Sequence, residues 1–135
     1  MASMSGTYLG GLRTQDKHFK SGNTVITDAP PDNNGRGEAF SPTDLVCASL
    51  SSCMMTLMGM LAEREKIDLT GMTSEITKVM ASGPRRIAEI HITFTRPGLV
   101  ATPEQRKKLE HAARTCPVAL SLSPEIQQRV EFKLD

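Results

Sequence analysis

The sequence predicts an α+β fold on three observations. Residues 45–62, LVCASLSSCMMTLMGMLA, are eighteen uncharged residues in a row, thirteen of them apolar, placed directly after a strong helix start. Stretches of strand character lie on both sides of that run. The order along the 135-residue chain is strands, long helix, strands, helix, strand, so the helices stand between strand pairs and do not alternate strictly with single strands. The length is that of one domain, 1–135.

Residues 7–14 (TYLGGLRT) and 24–28 (TVITD) read as strands, with HFKSGN between them as a turn or short strand. Residues 29–41, APPDNNGRGEAFS, are rich in Pro, Gly and Asn and read as an ordered loop. Ser41-Pro42-Thr43-Asp44 then opens a helix. Ser41 can cap, Pro42 suits the first helical position, and Asp44 stands where a capping-box acid belongs. The helix should run from 42 to about 66, with Glu63, Arg64, Glu65 and Lys66 in its last turn. Residues 73–81 and 87–95 read as strands joined by Ser82-Gly83-Pro84-Arg85, and Ile90, Ile92 and Phe94 alternate with polar residues as in a half-buried antiparallel strand. Thr102-Pro103-Glu104-Gln105 repeats the cap pattern and opens a charged helix to about 114. Thr115-Cys116-Pro117 stops it, because a residue before proline is pushed out of α geometry. Residues 117–122 form a short further helix, and Val130, Phe132 and Leu134 alternate in a closing strand.

Composition narrows the function. Sixteen Lys and Arg balance fifteen Asp and Glu, which gives no electrostatic reason for a nucleic-acid or anionic-membrane partner. Trp is absent, with one Tyr and four Phe, so base-stacking platforms have almost nothing to be built from. The N-terminus, MASMSGTYLGG, lacks a basic region followed by an apolar run, and Met1-Ala2-Ser3 before a second Met reads as a cloning scar. Three cysteines make no disulfide framework, no CxxC occurs and no His lies near a Cys, so no zinc site, metal or cofactor is expected. A cytoplasmic protein with reduced thiols is the economical placement.

A membrane span needs about 20 apolar residues. The long run falls short and contains Ser49, Ser51, Ser52, Thr56 and Gly59, so a core helix fits it better. A helix apolar nearly all round is buried on every side. A domain this small can hardly wrap it alone, which implies a second subunit and a homodimer. Cys47 and Cys53 are six residues apart and point about 120° away from each other, so one small site cannot easily use both. Each, taken alone, reads as buried core before it reads as catalyst. Cys116 differs, because Pro117 makes it the N-cap of the short helix, where backbone N–H groups and the helix dipole favour a thiolate. Cys53 in mid-helix lacks that help. If it reacts, a nearby cation must favour its thiolate.

SPTDLVCASLSSCMMTLMGMLAEREKIDL, followed by ARTCPVALSL, resembles the OsmC/Ohr family (osmotically inducible protein C and the organic hydroperoxide resistance proteins). The similarity runs from about Tyr8 to Leu134, and it is nearer the broad OsmC-like branch than the Ohr proteins proper. Its most specific parts are the Pro-x-x-Leu helix start with Cys53 eleven residues after Pro42, and the later Cys-Pro-Val. The resemblance implies an intertwined homodimer, with two antiparallel sheets around long central helices and active sites at the interface. It implies a thiol-dependent peroxidase of organic hydroperoxides, with Cys53 peroxidatic and Cys116 resolving, and with an external dithiol reductant to reset them. It assigns Arg13, from the partner's N-terminal strands, to thiolate stabilisation. The family's glutamate after the helix-start proline, which orients that arginine, is here Thr43, and Asp44 serves capping. Glu38, in the loop before the helix, is the substitute candidate.

Bland readings stand beside these. Arg13 on a strand is ordinarily a solvated charge. The methionines Met54, Met55, Met58 and Met60 read as flexible core filler, able also to line an apolar pocket beside Cys53. His18, His91 and His111 are scattered and read as exposed, and Lys107, Lys108 and Glu110 as a solvated helix face. Two competing functions remain open at this level: a non-catalytic binding or redox-sensing dimer with an apolar interface pocket, and a protein whose cysteines only pack.

Overall fold

The stretch TYLGGLRT does not run as one strand. Gly10 and Gly11 take positive φ (82° and 60°), Leu12 follows at 62°, and the chain reverses there. In the computed structural model, which describes residues 1–135, the expected strand is therefore split between β1 (Met4–Gly10) and β2 (Arg13–His18). β3 (Thr24–Asp28) completes an antiparallel three-stranded sheet in the order β1-β2-β3. Arg13 stands directly opposite Asp28, and Thr14 opposite Thr27.

The chain forms two compact units, Met1–Val46 and Cys47–Asp135. In the first, the buried residues are Thr27, Asp28 and Ser41, all polar. Its loop after β3 is ordered as expected, around a 3-10 turn at Pro31–Asn33. The loop folds back on the strand end: the Gly37 N–H donates to the Ala29 carbonyl (3.2 Å) and the Asp28 N–H to the Phe40 carbonyl (3.0 Å). Gly35 is required by that fold, since a Cβ there would lie 1.7 Å from the Ala29 carbonyl oxygen. The helix start is built as the sequence reads. The Asp44 N–H donates to Ser41 Oγ (3.0 Å) and the Ser41 N–H donates back to Asp44 Oδ2 (2.9 Å), a reciprocal cap.

The long helix, α1 (Pro42–Glu65), ends where Lys66 turns left-handed (φ 57°) and the Ile67 N–H reaches back to the Ala62 carbonyl (2.8 Å). Counted over the whole helix and not over its uncharged run alone, its length and apolarity do reach what a membrane crossing needs, against the shorter count from sequence. Cys47, Leu50, Ser51, Met54, Met58 and Ala62 nevertheless form a buried stripe at helical spacing. Ser51 Oγ donates to Ser74 Oγ (2.8 Å) on β4 (Thr73–Ser82), which forms a hairpin with β5 (Arg85–Thr95) through a cis Gly83–Pro84 bond. Ile90, Ile92 and Phe94 are buried, as their alternation predicts.

The closing strand departs from the antiparallel expectation. β6 (Gln127–Lys133) pairs parallel with β5, giving a mixed sheet in the order β4-β5-β6. A parallel neighbour needs a crossover of a dozen residues or more. Here α2 (Pro103–Arg114) and α3 (Pro117–Ser121) lie within that connection. Phe94 sits opposite Phe132 and stacks on it, with centroids 5.6 Å apart. α2 opens on the predicted capping box between Thr102 and Gln105. Leu134 lies past the strand end but is buried, and its carbonyl accepts from the Arg106 guanidinium.

Candidate active site

The second unit brings two of the three thiols together. Cys116 caps α3: its φ and ψ are −68° and 155°, the Ala119 N–H donates to Sγ (3.4 Å), and the Leu120 N–H closes the first turn on its carbonyl (3.0 Å). The predicted cap is thus present, but the predicted thiolate is not favoured. Cys116 is fully buried, and burial pushes its pKa above that of an ordinary thiol. The Ala119 N–H pulls the other way and loses. The Cys53 thiol is near enough to interact with it, and that interaction raises Cys116 further. A five-residue helix is too short for its dipole to outweigh complete desolvation.

Cys53 is half-buried in mid-helix, whereas Cys47, six residues earlier, is buried. The methionines around Cys53 do not form one cluster. Met54 and Met58 are fully buried core, Met55 is half-buried and Met60 is exposed. His18 and His111 are exposed and His91 is half-buried beside Glu89.

The first unit holds the expected cation. Arg13 opens β2, and its Nε and Nη2 donate to Asp28 Oδ1 (2.7 Å) and Oδ2 (2.8 Å), a two-point grip. The register explains it, because directly opposite residues of an antiparallel pair share a face. Glu38 also reaches Arg13, with Oε1 at 3.2 Å from Nη2, and its N–H donates to Asp28 Oδ2 (3.2 Å). Glu38 is two-thirds exposed at its side chain, while Asp28 is fully buried. The hydrogen bonds from Arg13 hold the Asp28 carboxyl below the usual carboxylate range, and Asp28 in turn raises the Arg13 pKa. Thr43 lies at the helix start, with its hydroxyl 3.1 Å from Ser41 Oγ.

A family model described as OsmC-like protein matches residues 35–131, most of the chain. The chain belongs to the OsmC-like family. A crystal structure from Psychrobacter arcticus 273-4, named as a candidate osmotic stress induced and detoxification response protein, is 48% identical and matches 98% of this chain and 96% of its own, with a TM-score of 0.93. An organic hydroperoxide resistance protein OsmC from Legionella pneumophila is 17% identical over 99% of this chain and 98% of its own (TM-score 0.72). An OsmC-like protein of unknown function from Vibrio cholerae is 17% identical over 96% and 99% (TM-score 0.75). These last two likenesses show the fold. Comparison with curated proteins gives no match.

Within this OsmC-like chain, the sequence reading singled out Cys53, Cys116, Arg13 and Glu38, and the structure groups them as two pairs: Cys53 beside Cys116, and Arg13 beside Glu38. It missed Asp28, the main partner of Arg13. The available signal was an acid closing one short strand, within a hairpin's reach of an arginine opening another. That signal needs the turn at Gly10-Gly11 to set the register, and a continuous strand over 7–14 hides that turn.

Proposed function

We propose that this OsmC-like protein is a thiol-dependent peroxidase that reduces organic hydroperoxides in oxidative stress defence. The observation that carries the reading is the half-buried Cys53 thiol within interaction range of the buried, N-capping Cys116 thiol. In the first step the Cys53 thiolate attacks the O–O bond of a hydroperoxide, forming a sulfenic acid and releasing an alkoxide that takes a proton to become the alcohol. The Cys116 thiol then condenses with the sulfenic acid, so that a disulfide forms and water leaves. An external dithiol returns both thiols by exchange and is itself oxidised to a disulfide. The raised pKa of Cys116 suits the resolving role, since a protonated, buried thiol does not compete for the peroxide.

In this reading Arg13, lent by the partner subunit, is the cation that favours the Cys53 thiolate, and Glu38 is an auxiliary carboxylate. Support for a homodimer comes from the first unit, whose sheet buries no apolar side chain yet exposes Met4, Tyr8, Leu9 and Val25. The cytoplasmic setting in this reading rests on a cysteine count and spacing that make no disulfide framework.

The test is a single-turnover experiment on fully reduced protein without added reductant. One equivalent of cumene hydroperoxide should be consumed per chain, with loss of two thiols, and Cys53→Ser should abolish both events. An unchanged thiol titre would replace this reading with a non-catalytic binding or redox-sensing dimer.

A further inference from the structure

We propose that Asp28 is the positioning residue of Arg13, fixing the guanidinium by its Nε–Nη2 edge and leaving Nη1 to face an anion. The inference rests on the peroxidase reading for what that anion is, a thiolate or the polarised oxygen of a hydroperoxide. The grip itself rests on geometry alone.

A guanidinium carries five N–H donors in a planar fork. Asp28 engages Nε and one N–H of Nη2 at 2.7 and 2.8 Å, and Glu38 takes the other side of Nη2 at 3.2 Å. Within the chain the hydrogen bonds of the fork use Nε and Nη2 and not Nη1, and the side chain keeps a quarter of its surface exposed. The fork is therefore held along one edge and open at its far corner. A planar ion pinned at two points cannot rotate about its own axis, so its remaining donors have one direction.

Asp28 outranks Glu38 as the holder for three reasons. It is paired with Arg13 by strand register, a constraint that loop motion cannot release. Its carboxylate is fully buried, so its bonds are not exchanged for water. Its Oδ2 is also held by the Glu38 N–H, and its backbone is tied to the loop where the Asp28 N–H donates to the Phe40 carbonyl. Glu38 makes one contact from an exposed side chain, and such pairs contribute little. Glu38 thus orients Asp28 through its backbone more than it orients Arg13 through its carboxylate.

The experiment compares Asp28→Asn, Glu38→Gln, Arg13→Lys and the Arg13→Lys, Asp28→Asn double variant. Asparagine keeps the shape and an acceptor for the Glu38 N–H while removing the charge. Peroxidase kcat/KM should fall on the order of 10- to 100-fold in Asp28→Asn, the cost of a misplaced catalytic group. It should fall clearly less in Glu38→Gln than in Asp28→Asn, because Glu38 adds one exposed contact to Arg13. The double variant should be no slower than Arg13→Lys alone, because a group acting only through Arg13 has nothing left to act on. The Arg13 Nε–H signal in nitrogen-15 NMR should be protected in wild type and Glu38→Gln, and lost in Asp28→Asn. Wild-type activity in Asp28→Asn, a protected Nε–H in that variant, or a double variant slowed by the product of the single effects would each overturn the proposal. Should wild-type protein turn over no hydroperoxide, the peroxidase reading falls separately, and the NMR signal still decides which carboxylate holds Arg13.

Discussion

Oxidation should lock the second unit. A bridge between Cys53 and Cys116 closes a loop of about 64 residues, and in the chain-entropy description this removes ~4 kcal/mol of freedom from the denatured state. The native side of the balance subtracts from that figure. Cys53 is fixed in the middle of a 24-residue helix, and Cys116 accepts the Ala119 N–H, a bond that rotation toward Cys53 would weaken at about 1 kcal/mol. A net gain of ~3 kcal/mol corresponds to a rise of roughly 10 °C in the unfolding midpoint for a chain of this size. The assay is thermal unfolding of fully reduced protein and of protein treated with one equivalent of diamide. Both samples must be held at one protein concentration, because association shifts the midpoint. Cys47→Ala supplies the background, leaving only the two thiols of interest. A midpoint that falls on oxidation, or a bridge that links two chains on a non-reducing gel, would refute the reasoning.

Three further outcomes follow from the same geometry. Iodoacetamide at neutral pH should modify Cys53 well before Cys116, because a thiol raised above its ordinary pKa is less than about 3% thiolate at pH 7 and Cys116 is also buried; peptide mapping of a time course reads the order, and equal rates would contradict it. Phe94→Ala should cost ~3–5 kcal/mol in urea unfolding, since Phe94 is fully buried and loses its stack on Phe132; a loss under about 1 kcal/mol would mean that this side chain does not anchor the core. The Asp28 carboxyl is held low by Arg13, so its contribution to stability is fully present above its unfolded value of about 3.9 and lost as pH falls through the lower folded value. Urea midpoints measured from neutral to strongly acid pH should accordingly show a steeper acid limb for wild type than for Asp28→Asn, and identical limbs would remove the carboxylate–guanidinium pair from the account.

Local chemistry was legible wherever it was self-contained. Ser41 with Asp44, Thr102 with Gln105 and Cys116 before Pro117 each specify a helix start within a few residues, and all three are built as read. Alternation placed Ile90, Ile92 and Phe94 inside because a period of two needs only one face to be covered. What failed depended on distant neighbours. The direction of β6 is set by the crossover through α2 and α3, not by its own residues, which suit either direction. The thiol chemistry of Cys116 was misjudged for a related reason: the helix N-terminus is visible in sequence, but the desolvation that outweighs it comes from packing. Asp28 escaped because a cross-strand partner is known only once the turn fixes the register.

The exchange of roles among the acids explains how Thr43 can stand at the helix start without loss of order. Asp44 accepts the Ser41 N–H and so caps α1. Here the tasks fall to separate residues: Asp44 terminates the helix, and Asp28, one strand across from Arg13, holds the fork. Strand pairing is the stiffer of the two supports, because each backbone bond in the ladder fixes the next, whereas helix ends fray within a turn. Arg13 is therefore gripped from the neighbouring strand, with Thr43 rather than an acid after the helix-start proline.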